Sequence, residues 1–186
     1  MSRIVLAMTG ASGAAIGAAA LRLLRSLGAE THLVVSKWAA TTARLECGLS
    51  VEELAALADH SHDVHDLTAP IASGSFGFDA MLIAPCSART LGMVASGCGD
   101  SLIARAADVA LKERRRLILA LREAPLSLIH LRNAVAVTEA GAIVFPTTPA
   151  FYTAPKLLDE AIDQMAARLV QLCGVEGAGV IEWGTS

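Results

Sequence analysis

Aromatic side chains and net charge are both scarce in this sequence. Its 186 residues include one tyrosine, two tryptophans and four phenylalanines, and the formal net charge is -3. A protein that binds nucleic acid needs a basic surface to neutralise phosphates, and it commonly stacks bases on aromatic rings. The composition therefore argues against a nucleic-acid partner.

The sequence also lacks an uncharged apolar run long enough to cross a bilayer. Residues 13–21 form the longest such stretch near the start, and Arg22 interrupts it, whereas a spanning helix needs about 20 apolar residues. The apolar run at residues 4–8 leads into a glycine-rich turn and not into a cleavage site. We therefore expect no membrane span, no signal peptide and a cytoplasmic location.

No two of the four cysteines form a CxxC pair. Cys47, Cys86, Cys98 and Cys173 are widely spaced, which fits free thiols in a reducing compartment better than a disulfide framework. Cys86 follows a predicted strand, but no sequence feature pairs it with a base. We therefore interpret it as a packing residue and not as a nucleophile.

Apolar residues, in contrast, are abundant. Hydrophobic side chains make up 54% of the chain and charged ones 18%, which is more apolar than is usual for a soluble monomer. Much of the excess is alanine, which lets helices of neighbouring subunits approach closely. We expect a single domain over residues 1–186 that assembles into a large homo-oligomer.

Apolar runs and helical patterns alternate along the chain. The predicted strands are residues 3–8, 31–36, 80–85, 117–121 and 142–145, and the predicted helices are 14–27, 37–46, 50–59, 90–96, 101–115, 126–139 and 157–172. Ser50 and Glu53 form a capping box for the third helix. Near-continuous apolar strands separated by helices predict an α/β fold of three layers, with a parallel sheet that binds ligands beyond the carboxyl ends of its strands.

Small hydroxyl residues lie near the ends of several predicted strands. Ser12 lies in the turn at residues 9–13, Ser36 ends the second strand, Ser73 precedes the third, and Ser87 follows it. A single serine at such a place is more often a helix N-cap than a ligand contact, and the turn at residues 9–13 matches neither a P-loop nor GxGxxG. Their clustering nevertheless predicts a site for a phosphorylated planar cofactor, with backbone N–H groups offered at the first helix N-terminus.

Two groups of charged residues stand out. Arg122 and Glu123 directly follow an apolar strand, where an arginine can bind phosphate while the carboxylate moves protons; an ordinary surface ion pair is the alternative. Arg105, Asp108 and Lys112 share one helix face. This face is suited to an anion, although a solvated helix end explains it equally well.

The segment at residues 60–66 is rich in histidine and aspartate. Its histidines, His60, His62 and His65, are spaced i, i+2 and i+5, which fits neither a helical nor a CxxC-type ligand set. We interpret the segment as a solvated loop and expect no metal site.

Longer blocks of sequence resemble the UbiX family of flavin prenyltransferases. They are MTGASGA at residues 8–14, ASGSF at 72–76, PCS at 85–87, RAADVALKERR at 105–115, REAPLSLIHLRN at 122–133 and PAFY at 149–152. The resemblance, over almost the whole chain, implies a flavodoxin-like or Rossmann-like subunit of a homododecamer. It also implies transfer of the dimethylallyl group of dimethylallyl phosphate to reduced FMN without a metal, giving prenylated FMN for a UbiD-type decarboxylase.

The resemblance also implies roles for individual residues. Flavin-binding positions are Gly10, Ala11, Ser12, Ser36, Ser87, Ala88, Arg89, Thr90 and Arg122. The pocket for the allylic phosphate is matched by Ser73, Lys112, Arg122, Glu123, Tyr152 and Arg168, and the catalytic positions by Glu123, Lys112, Glu46 and Arg105. Such cations and hydroxyls stabilise a leaving phosphate, and Glu123 can relay protons.

The sequence departs from the family at two places. Residues 67–69 replace a tryptophan found in some relatives, so stabilisation of an allylic cation falls to the flavin and Trp183, and Arg89 is larger than its counterparts. Two other functions stay open. One is an FMN-dependent cysteine decarboxylase, although the loop at residues 72–76 lacks the asparagine expected there. The other is an accessory subunit of a hydroxyaryl-acid decarboxylase complex.

Overall fold

A computed structural model describes residues 2–184 of the chain, which alternate between strands and helices. The strands are β1 (Arg3–Met8), β2 (Glu30–Val35), β3 (His60–His62), β4 (Ala80–Cys86), β5 (Arg116–Leu121) and β6 (Ile143–Pro146). The α-helices are α1 (Ala14–Ser26), α2 (Lys37–Cys47), α3 (Val51–Ala55), α4 (Ala88–Ser96), α5 (Leu102–Lys112), α6 (Leu128–Glu139) and α7 (Leu158–Leu172). Short 3₁₀ helices occupy Pro70–Ala72 and Phe151–Thr153.

The six strands form one parallel sheet in the order β3-β2-β1-β4-β5-β6. This is the doubly wound order of Rossmann folds, so the predicted α/β three-layer architecture is confirmed. Successive crossovers from β1 run in opposite directions, to β2 on one side and to β4 on the other. The gap between the loops that follow β1 and β4 is therefore the place where such folds bind ligands.

Alternate residues of each central strand pack against opposite helix layers. In β1, Ile4, Leu6 and Met8 join the core formed with α1 and α7, whereas Val5 and Ala7 join the core formed with α4 and α5. All five side chains are fully buried, as the period-two geometry of a strand covered on both faces requires. The apolar run that marked β1 in the sequence reflects this double burial.

Most predicted elements lie within one or two residues of their observed bounds, but two helices end early. The helix predicted to reach residue 59 ends at Ala55, and the one predicted to reach residue 115 ends at Lys112. Arg114 has a φ of 56°, which a continuing right-handed helix cannot accommodate. The capping box of Ser50 and Glu53 is confirmed.

The prediction that residues 60–66 are a solvated loop is wrong for their first part. His60–His62 pair with β2 as the edge strand β3, because main-chain pairing with a neighbour overrides the weak strand propensity of this polar segment. Histidine on β2 completes the pairing: His32 Nδ1 lies 2.9 Å from His62 Nε2, and its ring stacks on that of His60 with centroids 4.5 Å apart. Burial lowers the pKa of His32 and of His62, which favours neutral rings in this stack.

Glu30, His32 and His60 place one ligand atom each within 4.8 Å of one another, which makes this cluster a candidate metal site. The rings of His32 and His60 are stacked with an interplanar angle of 26°, and their lone pairs, which lie in the ring planes, do not converge on one ion. Arg3 Nε already lies 2.9 Å from Glu30 Oε1. The geometry of this cluster favours packing at the sheet edge over metal binding.

Two cysteines serve the core. Cys86 and Cys173 are buried, and burial raises the pKa of each thiol to about 12. A thiol with so high a pKa carries almost no thiolate at neutral pH and is a poor nucleophile, in agreement with the packing role expected for Cys86.

None of the helices within residues 2–184 combines the length and the apolar character that a membrane span needs.

Helix α1 approaches the sheet closely at Gly17. A Cβ at this position would lie 2.2 Å from the carbonyl oxygen of Ala84 and 3.0 Å from Met8 Cε. The carbonyl oxygen of Ala84 belongs to the main chain of the central strand β4, so it cannot move aside as a flexible side chain can. Glycine is therefore needed for the packing of α1 on the sheet.

We predict that Gly17→Ala lowers the free energy of unfolding by about 2 kcal/mol or more, since overpacking of a core typically costs about 1–3 kcal/mol. The matched control is Gly92→Ala in α4, where the nearest atom to a new Cβ is Asn133 Nδ2 at 3.4 Å. Alanine there should gain up to about 1 kcal/mol of helix propensity. Urea unfolding of both variants tests this, and equal effects at the two positions would contradict the close approach.

Candidate active site at the carboxyl ends of the strands

The loops that leave β1 and β4 are joined by the hydroxyl of Thr9. Its Oγ1 donates to the carbonyl oxygen of Pro85 at 2.8 Å and accepts from the amide of Ser87 at 2.9 Å. Thr9 is 3% exposed, so these bonds are shielded from water and hold the two loops at a fixed separation. The site is therefore built on a rigid gap between β1 and β4.

A cavity of 560 Å³ opens at this gap, within the range of about 300–1,000 Å³ that is typical of ligand sites. Residues from the loops after β1, β2, β4 and β5 meet in its walls; of the four serines predicted to cluster, Ser36 and Ser87 line it and Ser12 and Ser73 do not. The lining residues are Thr9, Gly10, Ser36, Lys37, Trp38, Val64, His65, Ser87, Ala88, Arg89, Thr90, Met93, Asp100, Ser101, Ile103 and Glu123.

Three helices begin at the wall of the cavity, and two of them, α2 and α4, directly follow strands of the sheet. Ser36 caps α2 by accepting from the amide of Ala39, and Ser87 caps α4 by accepting from the amide of Thr90. Both serines therefore satisfy the N-cap interpretation and also line the cavity. The remaining free N–H groups and the dipoles of the two helices favour an anion here, and Lys37 and Arg89 add positive charge.

The N-terminus of α1 is already occupied by Glu46, from the last turn of α2. Glu46 Oε2 accepts from the amides of Gly13 and Ala14 at 2.8 and 2.9 Å, so in this chain a carboxylate already bonds two of the N–H groups that the sequence analysis offered to a phosphate. Burial raises the pKa of Glu46, but the bonds from Ser12, Gly13 and Ala14 and the charge of Arg122 outweigh it, leaving the pKa below its ordinary value. Glu46 is therefore an ionised cap that locks the turn after β1.

Arg122 and Glu123 follow β5 and reach the same edge. The amide of Arg122 continues the ladder by donating to the carbonyl oxygen of Cys86 at 3.0 Å, and a Cβ built at Gly13 would lie 4.0 Å from Arg122 Cγ, which places that side chain beside the turn after β1. Glu123 lines the cavity, and its Oε1 accepts from the amide of Ala124 at 3.2 Å. Of the charged pair that follows β5, Glu123 lines the cavity and Arg122 is not among its lining residues.

Three other predicted residues lie along α5, away from the cavity. Ser73 Oγ bonds Ser75 Oγ at 2.8 Å, Arg105 Nε donates to the carbonyl oxygen of Ala72 at 2.9 Å, and Lys112 Nζ pairs with Glu113 at 2.6 Å. Helix α5 begins at the cavity, where Ser101 caps it. With a rise of about 1.5 Å per residue, its last residue, Lys112, lies roughly 15 Å from that end.

Arg105 and Asp108 form the expected pair on α5, with Nη1 and Oδ2 2.7 Å apart. Lys112 pairs with its sequence neighbour instead and does not join them. The three charges therefore do not form one anion site, which corrects the prediction from helical spacing. The interaction between Arg105 and Asp108 is exposed and contributes little to stability.

Tyr152 and Arg168 line a separate cavity of 220 Å³ beside β6. The Tyr152 hydroxyl donates to the carbonyl oxygen of Ile181 at 3.2 Å, and its ring packs edge-on against Trp183 with centroids 5.2 Å apart. Arg168 bonds Gln171 within α7. The residues matched to the allylic-phosphate pocket thus occupy three separate places in one chain.

Several lining residues were missed from the sequence. Lys37 and Trp38 directly follow β2, so the rule that placed ligand residues after strands was sufficient to find them. His65 was hidden in a segment interpreted as a loop, and it reaches the cavity because the amide of Leu102 bonds the carbonyl oxygen of Val64 at 2.7 Å. That contact joins distant parts of the chain and leaves no signal in the local sequence.

Known proteins resemble this chain over nearly its whole length. The Flavoprotein family model matches residues 1–171. The flavin prenyltransferase UbiX of Neisseria meningitidis serogroup B is 48% identical over 181 residues, which are 97% of this chain and 96% of that protein.

Two solved structures have nearly the same fold. AnUbiX in complex with FMN and dimethylallyl pyrophosphate has a TM-score of 0.96 and 48% identity, with 100% of this chain and 98% of that chain covered. A dodecameric FMN-dependent UbiX-like decarboxylase from Escherichia coli O157:H7 has a TM-score of 0.94 and 46% identity, with 97% and 98% covered. Identity at this level over nearly the full length shows common family membership. This chain therefore belongs to the Flavoprotein family and, within it, to the UbiX-type flavin prenyltransferases.

Proposed function

We propose that this chain joins the dimethylallyl group of dimethylallyl phosphate to reduced FMN, with the reaction taking place at the cavity between β1 and β4. The observation that carries the proposal is the meeting, in one cavity, of two helix N-termini with a carboxylate, Glu123. This combination provides a phosphate site and a proton-transferring group within the same walls.

The cavity suits FMN on chemical grounds. Ser36 and Ser87 mark the helix N-termini that would hold the phosphate, and Lys37 and Arg89 balance its charge. Apolar side chains, including Met93 and Ile103, line the same cavity and suit a planar ring system. Reduced FMN supplies the electron-rich ring on which the allylic carbon is attached.

The residues of the chain have distinct parts in the reaction. As the carbon–oxygen bond to phosphate breaks, Lys112 and Arg168 neutralise the phosphate that departs, and Ser73 donates a hydrogen bond to it. Arg122 compensates the negative charge of Glu46 beside the turn after β1. Glu123 accepts and returns the proton that moves while the new bonds to the ring form.

These residues act together only if several copies of the chain build one site. Within one chain, Glu123 lines the cavity of 560 Å³, Arg168 lines the cavity of 220 Å³, and Lys112 lies at the far end of α5. Large apolar side chains on α6 are also exposed, among them Leu128 at 61% and Ile129 at 69%, as expected for faces that subunits cover. We propose a homododecamer, as in the relative from Escherichia coli O157:H7.

The product has a natural recipient in a UbiD-type decarboxylase, and we propose delivery of prenylated FMN to such an enzyme in the cytoplasm. The four cysteines are free thiols, which suits a reducing compartment. The alternative role as an accessory decarboxylase subunit shares the flavin site. Recovery of a decarboxylase in constant proportion to this chain after purification would favour that alternative.

Mass spectrometry of the flavin tests the reaction itself. After anaerobic incubation of the protein with reduced FMN and dimethylallyl phosphate, we expect a flavin heavier by the added dimethylallyl unit. The same yield should be obtained in EDTA, because cationic side chains suffice to neutralise the departing phosphate. Unmodified FMN as the only flavin recovered would refute the proposed function, and a yield restored only by Mg²⁺ would refute metal independence.

Glu123→Gln should still fold and bind FMN but form prenylated FMN about 100-fold more slowly. Glutamine keeps the shape and the contact with Ala124 but cannot transfer a proton as a carboxylate does, and general acid–base catalysis contributes about 10²–10⁴-fold. Anaerobic single-turnover spectra measure the chemical step, and flavin titration measures binding. Product formation at the wild-type rate would leave Glu123 with no part in proton transfer.

Complementation between two inactive variants tests the composite site. Lys112→Ala and Glu123→Gln, co-expressed with different tags and purified as mixed assemblies, should recover activity to about one quarter of wild type if each site takes the two residues from different chains that mix at random. Each variant assembled alone is the control. Mixed assemblies as inactive as these controls would mean that both residues serve a site from the same chain.

A further inference from the structure

Trp38 lies where the loop after β2 enters α2, in the wall of the 560 Å³ cavity. Its side chain is 61% exposed, whereas most of the surface of a tryptophan is usually buried. It is the only phenylalanine, tyrosine or tryptophan among the cavity-lining residues of the described chain. The cavity thus has a single large aromatic surface.

The backbone is shaped to hold this side chain against the turn after β1. A Cβ at Gly10 would lie 2.3 Å from Trp38 Cβ and 3.4 Å from its Cα, so Trp38 rests directly on a position that only glycine can fill without displacement. Ser36 fixes the other side, because its hydroxyl caps α2 and its amide donates to the carbonyl oxygen of Met8 at 3.0 Å. The base of the indole is therefore held in place although its ring is exposed.

The indole of Trp38 is more exposed than buried, and a cation lies over its ring. Lys37 Nζ lies 6.0 Å from the ring centroid, at the limit of a cation–π contact. Trp38 lines the same cavity as the N-termini of α2 and α4, which suit an anion, and as Glu123. A planar ligand whose phosphate binds at the helix ends has this indole as the aromatic face within reach.

We propose that Trp38 is a ligand-binding residue whose indole packs against the planar ring of the flavin bound in this cavity. The inference rests on the proposed function, because it takes the occupant to be FMN. Stacking of nucleic-acid bases on aromatic side chains contributes measurably to affinity, and the planar ring of a flavin offers the same kind of face. Trp38 thereby positions the ring, and it makes no proton or group transfer itself.

Oxidised FMN, titrated into the ligand-free assembly, tests the proposal. Trp38→Ala should raise the dissociation constant about 10-fold or more, which lies within the effect found when a stacking aromatic is replaced by alanine. Trp38→Phe, which keeps an aromatic face, should stay within about 3-fold of wild type. Leu45→Ala removes another exposed apolar side chain, 79% exposed and also on α2, and should leave the dissociation constant unchanged.

The fluorescence of bound FMN gives a second readout. An indole in contact with an excited flavin quenches it by electron transfer, so bound FMN should be brighter in Trp38→Ala than in wild type. Size-exclusion chromatography accompanies each titration. Equal affinity and equal brightness in wild type and Trp38→Ala would overturn the proposal, and so would loss of affinity that accompanies dissociation of the assembly, since Trp38 would then serve a contact between copies. Failure of wild type itself to bind FMN would instead overturn the proposed function.

Discussion

The hydroxyl of Thr9 connects the two halves of the doubly wound sheet at the place where the site forms. Because it bonds both Pro85 and Ser87 while almost wholly buried, the loops after β1 and β4 cannot separate without leaving polar groups unsatisfied, at a cost of about 1–3 kcal/mol for each group. The amides of Ser36 and Arg122 continue the same ladder across the sheet edge. The register of the strands therefore sets the position of the residues that follow them and line the cavity.

The N-termini of α1, α2 and α4, which follow β1, β2 and β4, differ in the groups that satisfy their free amides. At α1 the ionised carboxylate of Glu46 satisfies the free amides, so that helix end is closed by the protein itself. At α2 and α4 a serine satisfies only one amide each, which leaves N–H groups for a ligand. The free N–H groups at α2 and α4 are the reason that the proposed phosphate site lies at these two helices and not at α1.

The residues matched to the allylic-phosphate pocket lie at three separate places in one chain, so the fold of a single chain does not bring them into one site. Arg105 and Lys112 lie along α5, while Tyr152 and Arg168 lie beside β6, where α7 packs on the other face of the sheet. In the proposed site one chain offers its cavity to the flavin and presents the other groups elsewhere on its surface. Exposed apolar surface on α6 provides the reason for copies to associate, since burial of such surface drives assembly.

The sequence by itself determined the α/β class, nearly all strands and helices, and the edge of the sheet at which ligands bind, because double burial makes parallel strands apolar throughout and capping serines mark helix starts. The long blocks from residue 105 to 115 and from 122 to 133 determined the family. Tertiary structure alone decided that His60–His62 form a strand, that Glu46 occupies the end of α1, and that His65 reaches the cavity. Each of these depends on a partner 28 or more residues away in sequence, whose position is set by packing of the sheet and its two helix layers and not by local propensity.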